Sequence, residues 1–402
     1  MNLSYSNVSK YRIPLVRDTI GQDDLAALAQ WLLGNPQLTK GPLCAAFEES
    51  FSSWQGCLRA NYVNSGSSAN LLAINALLTS NRLSPGDRII APAVSWTTTV
   101  APITQMNCVP VLCDCDLETL GVDIDHLEYL ARQSGAKALI ICHVLGIPCR
   151  MDEVISLCER YGLSLIEDCC EALGSEYRGI KVGNFSSLAS FSFYYGHHMS
   201  TVEGGMLCTD SIELSNAVRS LRSHGWNRDL DNEAKQALRE KYIIDPFADR
   251  YTFYCAGYNF RGNEIGAFLG LRQLKKLPEF IEARKRIWGS YCALMSEAQW
   301  QPRPVSDCVV SGFAFPMLSA NRTVLAARLE NMGVETRPLI CGSIGRQPWF
   351  IGKYGQVPLP NADIVHRDGL YVPINPHLSE HEVHYITECC MAAGEGSLRE
   401  AL

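Results

Sequence analysis

The chain has 402 residues, 47% apolar and 19% charged. That supports a large buried core, in two domains or one large one, and excludes a disordered polymer. Lys and Arg number 35 against 42 Asp and Glu, a formal net charge of −7, so no global basic field points to nucleic acid as a partner. No apolar run approaches the roughly 18–20 residues that span a bilayer, and the opening MNLSYSNVSKYRIPL lacks the apolar h-region of a secretory signal. The expectation is a soluble cytoplasmic enzyme with no membrane partner.

The 17 cysteines include the C-x-C of Cys113 and Cys115 and the adjacent pairs Cys169–Cys170 and Cys389–Cys390, but no C-x2-C. No Cys/His set has zinc-finger spacing. An iron–sulfur cluster takes about four thiolates, and the next cysteine after Cys255 is Cys292. Reduced thiols packed as small apolar groups are expected, with no metal site.

From about residue 60 onward, short apolar runs alternate with helical patterns. The runs are Ala60–Val63, Arg88–Pro92, Val109–Cys113, Ala138–His143, Ser164–Glu167, Ala189–Phe193 and Met206–Thr209; the helical patterns are Ser67–Leu78, His126–Gln133 and Met151–Tyr161. Continuous apolar strands between helices argue a mainly parallel sheet covered on both faces. After Glu213 the pattern turns helical. A Gly/aromatic stretch, Tyr251–Gly270, and a basic helix, Leu271–Arg286, follow. The last hundred or so residues read strand (Ser311–Met317), helix (Thr323–Met332), strand (Glu335–Pro338), loop and helix (Glu380–Met391), a smaller α/β unit.

Three stretches carry chemistry. Asn64-Ser65-Gly66-Ser67-Ser68-Ala69-Asn70 joins a strand to a helix, where free N–H groups, hydroxyls and the helix dipole suit a phosphate; the alternative is an ordinary Ser N-cap. Glu167-Asp168-Cys169-Cys170-Glu171 puts carboxylates at the C-terminal end of an apolar strand, the edge where open α/β sheets bind ligands. A carboxylate there can hold a protonated ring nitrogen or cap the next helix. Ser192-Phe193-Tyr194-Tyr195-Gly196-His197-His198 leads to a Glu203-Gly204-Gly205 turn, with two histidines available as ligands or acid–base groups.

Together these stretches resemble the DegT/DnrJ/EryC1/StrS sugar aminotransferase family of fold type I pyridoxal phosphate enzymes. The likeness also takes in Gln37–Pro42, Ala91–Trp96, Gly257-Tyr258-Asn259-Phe260-Arg261 and Glu335-Thr336-Arg337-Pro338. It implies an aspartate-aminotransferase-like α/β fold. A large pyridoxal phosphate domain with the N-terminal segment would fill residues 1–270 and a small C-terminal domain 271–402. It also implies a homodimer with shared active sites. One position departs. The family's aminotransferases carry a Schiff-base lysine six residues before the Glu of Glu-Gly-Gly, and here that residue is His197. The substitution is similar to that of the family's nucleotide-sugar 3-dehydratases. The CDP-sugar members bear an iron–sulfur cluster on cysteines near the Gly-Tyr-Asn stretch; this chain has only Cys255 there. Lys181, in Gly179-Ile180-Lys181-Val182-Gly183, reads as a solvated turn residue.

The resemblance assigns roles by matched position. His197 becomes the acid–base catalyst. Gly66, Ser67, Ser192 and Asn259 become phosphate ligands, Asn259 reaching across the dimer. Trp96 stacks on the cofactor ring or is a core aromatic, Asp168 holds the ring nitrogen and Glu171 faces the ring hydroxyl. His224, Arg228, Arg261 and Arg337 are candidates for glutamate and sugar-diphosphate contacts; surface ion pairs are the alternative for the arginines. The implied cofactor is non-covalent pyridoxal 5'-phosphate, converted by L-glutamate to pyridoxamine 5'-phosphate. The implied substrate is a nucleotide-linked 4-keto-6-deoxyhexose, first GDP-4-keto-6-deoxy-D-mannose, losing its 3-hydroxyl. Another nucleotide sugar, an aminotransferase activity and a silent ligand-binding member are the alternatives.

Overall fold

The computed structural model describes residues 10–295 and 300–391. The first nine residues of the segment read for a secretory signal lie outside that range. The strands in chain order are β1 Arg59–Val63, β2 Arg88–Pro92, β3 Val109–Cys113, β4 Ala138–Cys142, β5 Ser164–Asp168, β6 Glu176–Tyr177, β7 Ile180–Lys181, β8 Leu188–Ser192, β9 Gly205–Thr209, β10 Cys308–Val309, β11 Ala314–Leu318, β12 Arg337–Pro338 and β13 Gly369–Pro373.

Seven of them form the central sheet, in the order β1-β9-β8-β5-β4-β2-β3. β9 is antiparallel to both its neighbours and every other pairing is parallel. The expected mainly parallel α/β architecture is therefore present. Its strands are apolar throughout because both faces are covered, and alternate residues serve opposite faces. Ile140 and Ile166 pack with Leu72, Leu77 and Val218. Leu139, Ile141 and Leu165 pack on the other side with Leu127, Val154 and Leu157.

Helix starts are set by side-chain caps. Ser65 Oγ accepts the N–H of Ser68 at 3.1 Å and opens helix Gly66–Thr79; Asp123 Oδ1 accepts that of His126 at 2.8 Å and opens helix Ile124–Gln133. Both helices begin slightly before the patterns read above, because the cap rather than the apolar stripe decides the first turn.

A larger difference concerns helix Glu264–Leu294, which starts seven residues before Leu271 and runs through positions 270 and 271. Asn263 Oδ1 caps it at Gly266 N, and the Glu264 carboxylate accepts N–H bonds from Gly41, Leu43 and Cys44 at the start of helix Pro42–Gln55. Gly266 and Gly270, at the end of the Gly/aromatic stretch, are needed for packing: a Cβ would lie 2.3 Å from Tyr62 Oη and 2.6 Å from Phe47 Cζ, respectively.

A second sheet, β11-β13-β12, forms the C-terminal unit. Its middle strand β13 replaces part of the loop expected after Pro338. Lys181 is not a solvated turn residue: it lies on β7, 4.3 Å over the Trp54 ring, and its Nζ donates to the Trp54 carbonyl. Among the described residues no helix is long and apolar enough to cross a membrane.

Candidate active site

Strands β1, β2, β4, β5 and β8 end at one edge of the central sheet, and a cavity of about 360 Å³ opens there. It brings together Gly66, Ser67, Trp96, Asp168, Glu171, Ser192 and His197. Glycine at 66 is required by close approach. A Cβ there would meet Ser192 Cβ at 2.7 Å and Cys170 Sγ at 2.8 Å. Capping is done by Ser65, which leaves Gly66 and Ser67 lining the cavity at the positive end of the helix. Ser67 Oγ lies 2.9 Å from Thr98 Oγ1. Trp96 is 53% exposed, so it is no core aromatic.

Asp168 ends β5 almost fully buried and accepts from Asn70 Nδ2 at 2.8 Å, Thr99 Oγ1 at 2.7 Å and Cys170 N at 3.1 Å. No helix follows it, so the N-cap alternative does not hold. Glu171 accepts the N–H of Leu145 at 2.9 Å. Burial, helped by the Asp168 carboxylate, pushes its carboxyl up to about 7.

His197 is half-buried in the turn after β8. Its Nδ1 lies 2.7 Å from the Cys170 carbonyl oxygen. A carbonyl only accepts, so Nδ1 carries the hydrogen and Nε2 keeps the lone pair. Burial, with a contribution from the Arg284 cation, lowers the imidazole to about 4, against the opposing pull of the Cys170 carbonyl and Asp168. The ring is therefore neutral at pH 7. His198 points away: fully buried, it donates from Nε2 to the Ser311 carbonyl at 2.9 Å.

Five of the expected substrate and phosphate contacts lie off this cavity. Asn259 is exposed and bridges Ser223. His224 packs on Trp226 at 5.1 Å. Arg228 sits 4.0 Å over the Trp226 ring and donates to the Arg250 carbonyl. Arg261 bridges Val63 through its backbone, beside the Asn64 end of the cup. Arg337 pairs with Glu335 at 2.6 Å and lines a second cavity of about 430 Å³. That cavity adjoins the first through Tyr194, Phe313 and Tyr371.

Asn70 and Thr99, which clasp Asp168, were not singled out from sequence. Asn70 follows Gly66 by four residues and so shares its helix face, a signal that was available. Phe313 and Tyr371 come from the C-terminal unit and have no local signal. Among the described residues, one group has metal-ligand composition: His143, Glu167 and Cys169. Two of its three ligand groups are otherwise engaged. Glu167 accepts from Gly183 N, Phe185 N and His143 Nε2, and His143 Nδ1 accepts from Cys149 N.

The DegT/DnrJ/EryC1/StrS aminotransferase family matches residues 18–391. The dTDP-4-dehydro-2,6-dideoxy-D-glucose 3-dehydratase of Saccharopolyspora spinosa is 34% identical over 391 residues, 92% of this chain and 84% of that protein. The GDP-4-keto-6-deoxy-D-mannose 3-dehydratase of Yersinia pseudotuberculosis is 31% identical over 371 residues, 89% of this chain and 93% of that one. A GDP-4-keto-6-deoxymannose-3-dehydratase solved with a trapped PLP–glutamate geminal diamine superposes with TM-score 0.86 at 29% identity, over 94% of this chain and 100% of that one.

The raised Glu171 carboxyl has a stability consequence with a definite sign. It titrates near 7 in the fold against an ordinary value of 4.5. Between those values the native state binds more protons than the unfolded one, so this group's contribution to stability falls as pH rises. Glu171→Gln removes the loss. In urea unfolding of the protein without added ligands, the midpoint of Glu171→Gln relative to wild type is expected to be higher at pH 8 than at pH 5. A pH-independent difference contradicts the assignment.

Proposed function

Because the chain belongs to the DegT/DnrJ/EryC1/StrS aminotransferase family, we propose that it is a pyridoxal phosphate-dependent nucleotide-sugar 3-dehydratase. It would remove the 3-hydroxyl of a nucleotide-linked 4-keto-6-deoxyhexose with L-glutamate as reductant, in deoxysugar biosynthesis in the cytoplasm. The observation that carries the reading is a neutral imidazole, His197, where the family's aminotransferases place a lysine.

The residues fit the cofactor. The Gly66–Ser67 cup, into which no side chain would fit at 66, faces Ser192 and suits a phosphate. The clasped Asp168 carboxylate suits a ring N–H, Glu171 a ring hydroxyl, and exposed Trp96 a ring face. When bound, pyridoxal phosphate in its amine form supplies a nucleophilic amine and an electron sink.

The chain's own groups then have limited tasks. Position 197 offers no amine for a covalent link, and Lys181 is stacked on Trp54. His197 Nδ1–H is committed to the Cys170 carbonyl, so Nε2 can take a proton at the cavity and return it to the departing oxygen of sugar carbon 3. The redox balance closes: glutamate is oxidised to 2-oxoglutarate and ammonia, and its two electrons end in the new C–H bond at carbon 3, with the oxygen leaving as water. Arg337, at the adjoining cavity, would meet the sugar diphosphate.

GDP-4-keto-6-deoxy-D-mannose is the first substrate we propose. A dTDP-linked sugar is the second reading, favoured by the 34% identity to the dTDP-sugar enzyme. With pyridoxal phosphate and L-glutamate, the GDP sugar is expected to give a 3-deoxy-4-keto product and equimolar 2-oxoglutarate, with kcat/KM above that for dTDP and CDP analogues. Preference for dTDP selects the second reading. A panel of 4-keto-6-deoxy nucleotide sugars that all remain unchanged overturns both.

The same proposal divides the chain into a large cofactor unit over 1–270 and a small unit over 271–402 and makes the protein a homodimer with shared sites. The off-cavity positions of Asn259, His224, Arg228 and Arg261 support such sharing: a two-fold axis would present each to the partner's cavity. His197→Asn and Asn259→Ala, each inactive alone, are expected to recover about a quarter of wild-type activity when refolded together, since half of randomly paired dimers carry one intact site. Mixed dimers that stay inactive contradict the shared site.

A further inference from the structure

Arg284 lies in helix Glu264–Leu294, 2% exposed. No carboxylate pairs with it among the described residues, and burial alone lowers its guanidinium to about 9. Its partners are four backbone carbonyls. Nη1 faces those of Gly312 at 3.0 Å, Phe313 at 3.3 Å and Ile374 at 2.9 Å, and Nη2 faces that of His197 at 3.4 Å. Nε has no acceptor. A buried cation without a counter-ion is expensive, and a Met or Leu would fill such a position in an ordinary core.

The four carbonyls belong to three segments that converge on the cavity: the His197 turn, the lead-in to β11 and the exit from β13. The Phe313 ring, carried by the second segment, packs 5.1 Å from the His197 ring. Two more bonds hold the same lead-in. His198 Nε2 donates to the Ser311 carbonyl, and Phe313 N–H donates to the Leu145 carbonyl, whose own N–H serves Glu171. The fork of an arginine can span carbonyls from several segments; an ammonium cannot.

Charged and titratable groups lie around the cavity that the imidazole lines. Arg284 approaches from its helix, Asp168, Cys170 and Glu171 from the end of β5, Tyr371 from β13, and Tyr194, His198 and Glu203 from the imidazole's own loop. Arg284 is the one cation in this set. The Asp168 carboxylate favours imidazolium, and Arg284 opposes it.

We propose that Arg284 is a positioning residue for His197: it pins the turn's carbonyl to the Phe313 segment and adds a fixed positive charge beside that turn. The inference rests on the reading of His197 as the base, but its test does not need the sugar chemistry.

The test is a titration of the protein carrying ¹³Cε1-labelled histidine, with the His197 signal assigned by its loss in His197→Asn. In Arg284→Met the His197 midpoint is expected to rise by about one pH unit; in Arg284→Lys, which keeps charge but not the fork, by much less. With substrates, kcat is expected to fall roughly 10- to 100-fold in both variants from misplacement, with KM nearly unchanged. Should Arg284→Met fail to fold, Arg284→Lys decides: a near-wild-type midpoint with reduced kcat supports the proposal. A wild-type midpoint in Arg284→Met, or wild-type kcat in Arg284→Lys, overturns it. A shifted midpoint in a protein inactive on every sugar leaves the role of Arg284 standing and rejects the proposed reaction instead.

Discussion

The hydrogen bond from His197 Nδ1 to the Cys170 carbonyl, 2.7 Å long, is the contact on which the site depends. It joins the turn after β8 to the turn after β5, so the imidazole and the Asp168 carboxylate are held in one frame. It also decides the chemistry of the ring. With the hydrogen fixed on Nδ1, Nε2 is the only basic nitrogen of a ring that lines the cavity. Burial lowers the imidazole, which keeps that lone pair free at neutral pH. A lysine at the same position would present an amine that links covalently to an aldehyde cofactor. A histidine has no primary amine for that link, and in the proposed reaction its imidazole moves protons instead.

The frame is stiff because its buried polar groups are satisfied in layers. Asp168 is clasped by Asn70 and Thr99. Glu167, one residue earlier and on the opposite side of the strand, is clasped by Gly183 N, Phe185 N and His143. Alternation along β5 thus sends one carboxylate to the cavity and the other to the core. Each would be costly if left unpaired. The edge that opens on the cavity is therefore supported from both faces of the sheet, and Arg284 ties it to the C-terminal unit.

Much of this was legible in the sequence, for reasons that can be named. Strands such as Ala138–Cys142 are continuous apolar runs because both faces of the sheet are buried. The cup, the β5 carboxylate and the His-bearing turn lie at strand ends, where local patterning marks the boundary. What was missed depends on long-range packing. Gly266 and Gly270 belong to the stretch placed before the helix, yet they let helix Glu264–Leu294 approach Tyr62 and Phe47. Lys181 read as solvated, and the Trp54 ring that covers it is far away in sequence. β13 is five residues long and directly follows helix Pro360–Asp368, so no separate apolar period announces it. Phe313, Tyr371 and Arg284 reach the site only through the folded C-terminal unit. The off-cavity positions of Asn259, His224, Arg228 and Arg261 likewise follow from how distant segments fold together, which no local pattern displays.

The central claim is that a neutral histidine in place of the lysine turns an aminotransferase scaffold into a dehydratase. The fate of nitrogen tests it most directly. The protein is supplied with pyridoxal phosphate, [¹⁵N]-L-glutamate and GDP-4-keto-6-deoxy-D-mannose, and the products are followed by NMR. The account predicts that ¹⁵N appears as free ammonium in step with a new methylene at sugar carbon 3. Label retained on sugar carbon 4, with the 3-hydroxyl intact, would mean that the chain is an aminotransferase after all and would contradict the role given to His197.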